Sequence, residues 1–408
     1  MLTWLRPRAA PADAPAPDAL RVVIELRSFD KGGLEKVVFD TARSFDRARI
    51  APLIVSAGPL GEFAVQARRL GLRVEGLPRR DALRAYGDLL DAYRPTLAVA
   101  HFSSLGYDLF ARRGIPVISV IHNVYAFMDD AQRARFAAED ARVAHYISVS
   151  PKATLYATGR LGIAPARITT IPNGLDIEDY AHRAAAAPAD RARLGIAPGD
   201  YVFLNVAAYN LHKGHHVMAA AMRLLLARRG DIRIVCVGNV VVPAHVQALR
   251  ARLRQEGLDR HMLLPGYSAH VEEMFAMADA FLLPSFIEGW SIAMNEAMAF
   301  GMPLLLTDTG GASEVIESED IGIVLPNEYG PVTALDCALL DRLAYHGRDF
   351  RIAAGLADAM ERFADDRAHW AAAGARGREK LRQRYALADV VRRHEAVMQA
   401  VATAARPA

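Results

Sequence analysis

Two glutamates eight residues apart, Glu288 and Glu296, stand in the stretch PSFIEGWSIAMNEAMAFGMPLLLTDTGGASEVI at 284–316. A carboxylate can accept two hydroxyl hydrogen bonds at once, which suits the paired hydroxyls of sugars and ribose. Glu288 follows the apolar run AFLLPS, so it falls in a loop at the carboxyl end of a predicted strand; Glu296 falls on the next helix. Between them, Gly289 lets backbone approach a ligand closely, and Ser291 is placed to cap the helix. Free N–H groups at that helix start favour an anion such as a phosphate. Gly310 and Gly311 follow the next strand and repeat the device. Lys213, in HKGHH after the run YVFLNVA, puts an ammonium beside the start of another helix, where a diphosphate would be held. Taken singly, each of these is an ordinary loop, helix or surface residue. Their joint placement at strand ends is what points to a site.

The chain uses lysine sparingly. Only Lys31, Lys36, Lys152, Lys213 and Lys380 occur among 49 basic residues, so a lysine here hints at a position that does not take arginine. Histidine offers further candidates. His122 ends the run PVISVIH and His101 ends LAVAH. His212, His215 and His216 raise a metal reading, which is set aside because His215 and His216 are adjacent, no cysteine is near and no carboxylate ligand is identified. No metal site is expected.

Other chemistries are absent from the sequence. There is no G-x-x-x-x-G-K-[ST] or G-x-G-x-x-G, no pair of aspartates at i and i+2, and no G-x-S-x-G, which counts against P-loop, dinucleotide, Asp-x-Asp metal–nucleotide and hydrolase sites. Basic and acidic residues number 49 and 46 in 408 residues, too balanced for a nucleic-acid partner. Cys236 and Cys337 cannot build a disulfide framework. No apolar run is long enough to span a membrane. The first 19 residues, MLTWLRPRAAPADAPAPDA, read as a flexible tail rather than a secretory signal; Trp4, Leu5, Arg6 and Arg8 could touch a membrane surface, with an untethered terminus as the plainer reading.

The elements that must position these residues alternate along the chain. RVVIEL, a loop with Gly32 and Gly33, then Leu34, Val37, Val38, Ala42 and Phe45 at helical spacing read as strand, glycine loop and amphipathic helix. APLIVSA, LAVAH, PVISVIH and HYISVS are further strands, and their unbroken apolar character predicts a parallel sheet covered by helices on both faces. A second series runs from YVFLNVA through IRIVCVG, MLLPG, AFLLPS and PLLLTD to IGIVLP. The fold class predicted is α/β, two doubly wound Rossmann-like domains facing across a cleft, with a tail at 1–19, a first domain at 20–185, a linker at 186–199, a second domain at 200–385, and a helix within 386–408 free to pack on either domain. Open parallel sheets bind ligands at the carboxyl ends of their strands.

Residues 284–316 resemble the retaining glycosyltransferases of family four, which have the GT-B fold. Their mark is Glu, seven residues, Glu, a small-residue turn, a Pro-led strand and Gly-Gly-x-x-Glu; Glu288, Glu296, Pro303, Gly310, Gly311 and Glu314 fit in order. The resemblance extends over nearly the whole chain, through IPNGLDIEDY at 171–180, HKGHH at 212–216 and LPGYSAHVEEMFAMADAFLLPS before the first glutamate. It implies a nucleotide-sugar donor held mainly by the second domain. Glu288 would bind the donor sugar, Glu296 the ribose, and Lys213 the diphosphate. Gly266, Tyr267, Gly289, Trp290 and Ser291 would complete that side, with Gly32 and Gly33 near the phosphates and His122 facing the transferred sugar. The chain departs from the family pattern at Ala208, where an arginine commonly stands five residues before the lysine.

The function expected is transfer of a sugar from a UDP- or GDP-sugar to a hydroxyl acceptor with retention of configuration, without metal or cofactor, by an enzyme in the cytoplasm or peripheral to a membrane's inner face. The alternatives are a nucleotide-sugar epimerase of the same architecture and a non-catalytic nucleotide-sugar-binding subunit. The first 190 residues carry 25 basic and 21 acidic side chains, with Arg68, Arg69, Arg73, Arg79 and Arg80 clustered, which suits contact with an anionic membrane or lipid-linked acceptor.

Overall fold

The structure, a computed structural model, describes residues 18–187, 190–346 and 349–405; Trp4, Leu5, Arg6 and Arg8 lie outside the described residues. The first sheet contains β1 (Leu20–Leu26), β2 (Ile50–Ser56), β3 (Arg73–Gly76), β4 (Leu97–His101), β5 (Val117–Ile121), β6 (His145–Ser148) and β7 (Ile168–Thr170). All pairs are parallel, in the order β3-β2-β1-β4-β5-β6-β7. The second contains β8 (Tyr201–Val206), β9 (Ile232–Val237), β10 (Met262–Gly266), β11 (Ala280–Leu283), β12 (Leu304–Thr307) and β13 (Gly322–Leu325), in the order β10-β9-β8-β11-β12-β13. Val22, Val23, Leu26, Leu53, Phe203, Leu204, Phe281 and Leu282 have no exposed surface, as strands sandwiched between helix layers require.

In each sheet the strand order reverses once, between β1 and β4 and between β8 and β11. The crevices at those two reversals, at the strands' carboxyl ends, are where an open α/β sheet takes ligands. The Gly32–Gly33 loop and His101 lie at the first. The Lys213 turn and the Glu288 loop lie at the second.

The chain crosses between the domains twice, and the crossings bond to each other. Leu175 N–H donates to the Tyr385 carbonyl, and Leu387 N–H to the Leu175 carbonyl, both at 3.0 Å. Before the second crossing, the helix Arg367–Arg384 lies on the second domain, where Lys380 donates to the Val315 carbonyl at 2.9 Å. After it, the helix Leu387–Ala404 lies on the first domain: Glu395 accepts from the Asp46 N–H at 2.9 Å, and Arg393 donates to the Thr170 carbonyl. Within the segment read as linker, residues 190–199 are tied to their surroundings. Arg191 donates to the carbonyls of Met277 and Asp200 and pairs with Asp279 at 2.9 Å, which fastens this span to the second domain. No helix of the described residues is long and apolar enough to cross a membrane.

Candidate active site

Lys213 ends a short 3-10 turn, Leu211–Lys213, and Gly214 then turns the chain into the helix His215–Leu226. Gly214 has φ of +70°, and a Cβ there would stand 2.1 Å from the Pro284 carbonyl oxygen. Only glycine meets both demands. The same close approach lets Phe286 N–H donate to the His212 carbonyl at 2.8 Å, so the loop after β8 is stitched to the loop after β11. The result is that Lys213 Nζ stands 2.5 Å from Glu288 Oε1. Glu288 is 9% exposed, and its own N–H donates to Thr309 Oγ1 at 3.0 Å. The two chemical residues read separately in the sequence are one ion pair.

Gly289 comes next. A Cβ on it would lie 1.9 Å from the carbonyl oxygen of His122, so the backbones of the two domains touch at this point. A triangle of hydrogen bonds anchors the contact. Asn173 donates to the Trp290 carbonyl at 3.1 Å, Asn295 donates to the Asn173 carbonyl at 2.8 Å, and Trp290 Nε1 donates to Asn295 Oδ1 at 3.0 Å. The Trp290 ring packs on Tyr385 with centroids 4.9 Å apart. Its indole nitrogen is therefore committed to the fold. Ser291 caps the helix Ile292–Ala299, accepting from the Met294 N–H at 3.3 Å.

Glu296, on that helix, is buried and accepts a hydrogen bond from the Tyr180 hydroxyl. Burial raises its pKa, against the pull of Lys36 and Arg183. Lys36 and Arg183 flank the Tyr180 ring, at 5.5 and 4.8 Å from its centroid. Glu296 thus sits where the first domain's helix Gly33–Arg43 meets the second domain.

The glycine loop is arranged as the sequence suggests. Gly32 has φ of +154°, while Gly33 has open space where a side chain would be and opens the helix Gly33–Arg43. Beside it, Lys31 reaches the half-exposed ring of Tyr267 at 4.6 Å. Gly266, just before it, has φ of +88° and open space beside it. Lys152 forms a second bridge between the domains, to Asp308 at 2.8 Å. Four of the five lysines are therefore at contacts between the domains or beside Glu288 and Glu296. In the sequence the scarcity of lysine was a hint, and of these four only Lys213 was singled out.

His122 Nε2 is 2.7 Å from His101 Nδ1, so one ring donates and the other accepts. Burial pulls both pKa values down, that of His122 to about 3. Both rings are neutral at physiological pH. His122 can hydrogen-bond to a sugar but brings it no charge. His215 and His216 both pack on His245, His215 with ring nitrogens 3.2 Å apart and His216 edge-on, and among the described residues no group of three or more His, Cys, Asp or Glu side chains is placed to hold a metal ion. Tyr180, Asn173 and Asn295 escaped the sequence reading because their roles are in contacts between segments far apart in the chain.

Two facing parallel α/β sheets, with chemistry at their strand ends, define the GT-B class. Comparison with known proteins agrees. Residues 31–179 match the family described as Glycosyltransferase Family 4, and residues 187–336 that described as Glycosyl transferases group 1. The chain belongs to the family-four type of glycosyltransferase. It is 30% identical over 209 residues to the D-inositol 3-phosphate glycosyltransferase of Xylanimonas cellulosilytica, covering 50% of this chain and 49% of that one. It is 25% identical over 237 residues to the lipopolysaccharide core biosynthesis mannosyltransferase LpsB of Rhizobium meliloti, covering 57% and 61%. The chain spans about half the length of the curated relatives it matches. In fold it is similar to the Anabaena protein HepE solved in complex with UDP-glucose, at 16% identity and a TM-score of 0.76, over 93% of this chain and 99% of that one.

Proposed function

We propose that the protein transfers a sugar from a UDP- or GDP-sugar to a hydroxyl acceptor with retention at the anomeric carbon. The observation that carries this is the Lys213–Glu288 pair at the carboxyl ends of β8 and β11, with the helix start at Gly33 opening from the first domain. Further support comes from the relatives, named as glycosyltransferases, and from the fold neighbour crystallised with UDP-glucose.

In this reading the diphosphate takes Lys213, and the departing negative charge is met by that ammonium and by helix N-termini, fixed in a cleft of low dielectric. Glu288, released from Lys213, accepts from hydroxyls of the donor sugar. Glu296 receives the ribose, with Tyr180 sharing the carboxylate. Gly266 and Tyr267 border the donor, Gly289, Trp290 and Ser291 hold the Glu288 loop, and neutral His122 faces the transferred sugar. For the reacting carbon we assign no carboxylate nucleophile; the leaving phosphate assists the incoming hydroxyl on the same face, which gives retention. Positive charge from Lys213 stands in for a divalent cation. Exposed Arg69, Arg79 and Arg80 on the first domain suit an anionic membrane or a lipid-linked acceptor.

Two experiments test this. Nuclear magnetic resonance of the first-formed product should show the donor's anomeric configuration; inverted product excludes the front-face route. Turnover should survive exhaustive treatment with EDTA, whereas complete loss restored by one divalent ion would refute the role given to Lys213.

A further inference from the structure

Phe102 is unusual in three independent respects. It follows β4, at the crevice between β1 and β4 where the first sheet's order reverses. Its φ is +52°, a left-handed conformation that a bulky side chain rarely adopts and that marks functional positions when the surroundings enforce it. And it is 36% exposed while its aromatic neighbour Tyr125 is 4% exposed.

The surroundings do enforce it. Glu25, a carboxyl with no exposed surface, lies inside β1 and accepts from the Gly106 N–H at 2.9 Å. That bond holds the loop 102–106 against the sheet. A Cβ on Gly106 would meet the same carboxylate at 2.5 Å, so glycine is what lets the loop come this close to Glu25. Held in this way, the Phe102 ring stacks on His122 with an interplanar angle of 19° and centroids 6.1 Å apart, and leans on Tyr125 and Phe127. His122 is the residue whose carbonyl touches Gly289, next to Glu288. The fold thus leaves the Phe102 side chain partly exposed, one residue removed from the donor side of the cleft.

The loop that carries the ring is polar. Ser103 and Ser104 follow Phe102 in the chain, and Ser104 donates to Glu139 at 2.8 Å. An apolar plate with hydroxyls and a carboxylate in its own loop fits a pyranose. One face of such a ring carries axial C–H bonds, whose partial positive charge meets the negative face of an aromatic ring, and its edge carries hydroxyls. An alkyl tail would want an apolar rim instead.

We propose that Phe102 is the platform on which a pyranose ring of the acceptor stacks, which makes the acceptor a saccharide and Phe102 a specificity-determining residue. This rests on the glycosyltransferase reading of the cleft.

The test uses saturation-transfer difference NMR on the full chain, with methyl α-D-glucopyranoside, methyl α-D-galactopyranoside, methyl α-D-mannopyranoside and octyl β-D-glucopyranoside as probes, with and without UDP or GDP. Phe102→Gly suits the left-handed backbone and keeps the loop; Phe102→Trp keeps an aromatic face. Saturation should reach ring C–H protons of at least one methyl glycoside, fall by about 3- to 10-fold in Phe102→Gly, the scale of an aromatic contact, and persist in Phe102→Trp. No transfer to any methyl glycoside, equal transfer in Phe102→Gly, or transfer confined to the octyl chain would overturn the proposal. Calorimetry with UDP and GDP separates the two levels. Failure of the wild-type chain to bind either nucleotide strikes the glycosyltransferase reading, whereas unchanged nucleotide binding with any of the overturning spectra strikes the platform alone.

Discussion

Lys213 and Glu288 satisfy each other at 2.5 Å, and this changes what removing either one does. In the proposed reaction, Lys213→Ala takes away the cation for the leaving diphosphate and also leaves a nearly buried carboxylate unpaired, facing the incoming phosphates. Both effects act against the transition state. Lys213→Ala should therefore cost at least about 10²-fold in turnover, the scale for losing one oxyanion donor. Ala208, where the family commonly has arginine, is only half-buried, so Ala208→Arg in the Lys213→Ala background should restore part of the rate. Steady-state kinetics with the preferred donor checks both, and a loss under threefold would mean that another group holds the phosphates. Glu288, Lys213 and Ser291 were legible in the sequence because their types and strand-end positions are local signals. The ion pair was not, since 75 residues separate its members.

At the scale of elements, glycines decide how closely the site's loops approach. The Gly289 contact with the His122 carbonyl is backbone on backbone, and neither side has a side chain that can swing aside. Gly289→Ala should push the two domains apart at that point. The expectation is a loss of donor affinity with a stability cost of about 1–3 kcal/mol, the range for overpacking. Asn295→Ala should cost about 1–3 kcal/mol, because it strips partners from the Trp290 indole and the Asn173 carbonyl, while leaving Lys213 and Glu288 untouched. Urea midpoints together with donor titrations distinguish the two; equal and unchanged values for both variants would discount this hinge. The strands that build the crevices were readable because they are apolar on both faces. Other elements carried no such pattern. β3 and β7 lie at the edges of their sheet and bury little, and the helix Asp130–Asp140 has no fully buried residue, so no apolar stripe announced it. The helix Ile177–Ala186 runs into the alanine-rich start of the segment read as linker, where composition mimics a loop.

Across the whole molecule, burial of histidines ties stability to pH. His101, His122, His215 and His394 all have pKa values pulled down by burial, His122 and His215 to about 3 and His394 to about 4. Below an unfolded value of about 6.5 the unfolded chain takes up protons that the folded chain refuses, so stability present above that pH is lost as pH falls toward the folded values. Glu25 and Glu296, raised by burial, act in the opposite sense: their contribution is full below the unfolded value and is lost as pH rises through the folded one. His145, His212, His216, His245 and His261 are lowered by burial as well, and Glu314 is raised, so nine histidines against three carboxyls make the net slope one of acid destabilisation between about pH 6.5 and 5. Urea denaturation over that range should show it, and His394→Gln should reduce the slope by about one proton, roughly 1.4 kcal/mol per pH unit. A flat profile for the wild-type chain would mean these rings are hydrated. Two α/β domains were plain from the sequence at this scale. The side on which the last helix packs was not, because its apolar face fits either domain, and it is the bonds of Glu395 to the Asp46 N–H and of Arg393 to the Thr170 carbonyl that assign it to the first.

In the proposed reaction the cleft consumes a nucleotide-sugar and Lys213 takes the charge of the departing diphosphate. A panel of UDP- and GDP-sugars, incubated with the wild-type chain and with Lys213→Ala and followed by release of UDP or GDP, tests it most directly. At least one donor should be consumed by the wild-type chain with release of its nucleoside diphosphate, and this release should fall by about 10²-fold or more in Lys213→Ala. Donor binding with no release, or release at the wild-type rate in Lys213→Ala, would contradict it.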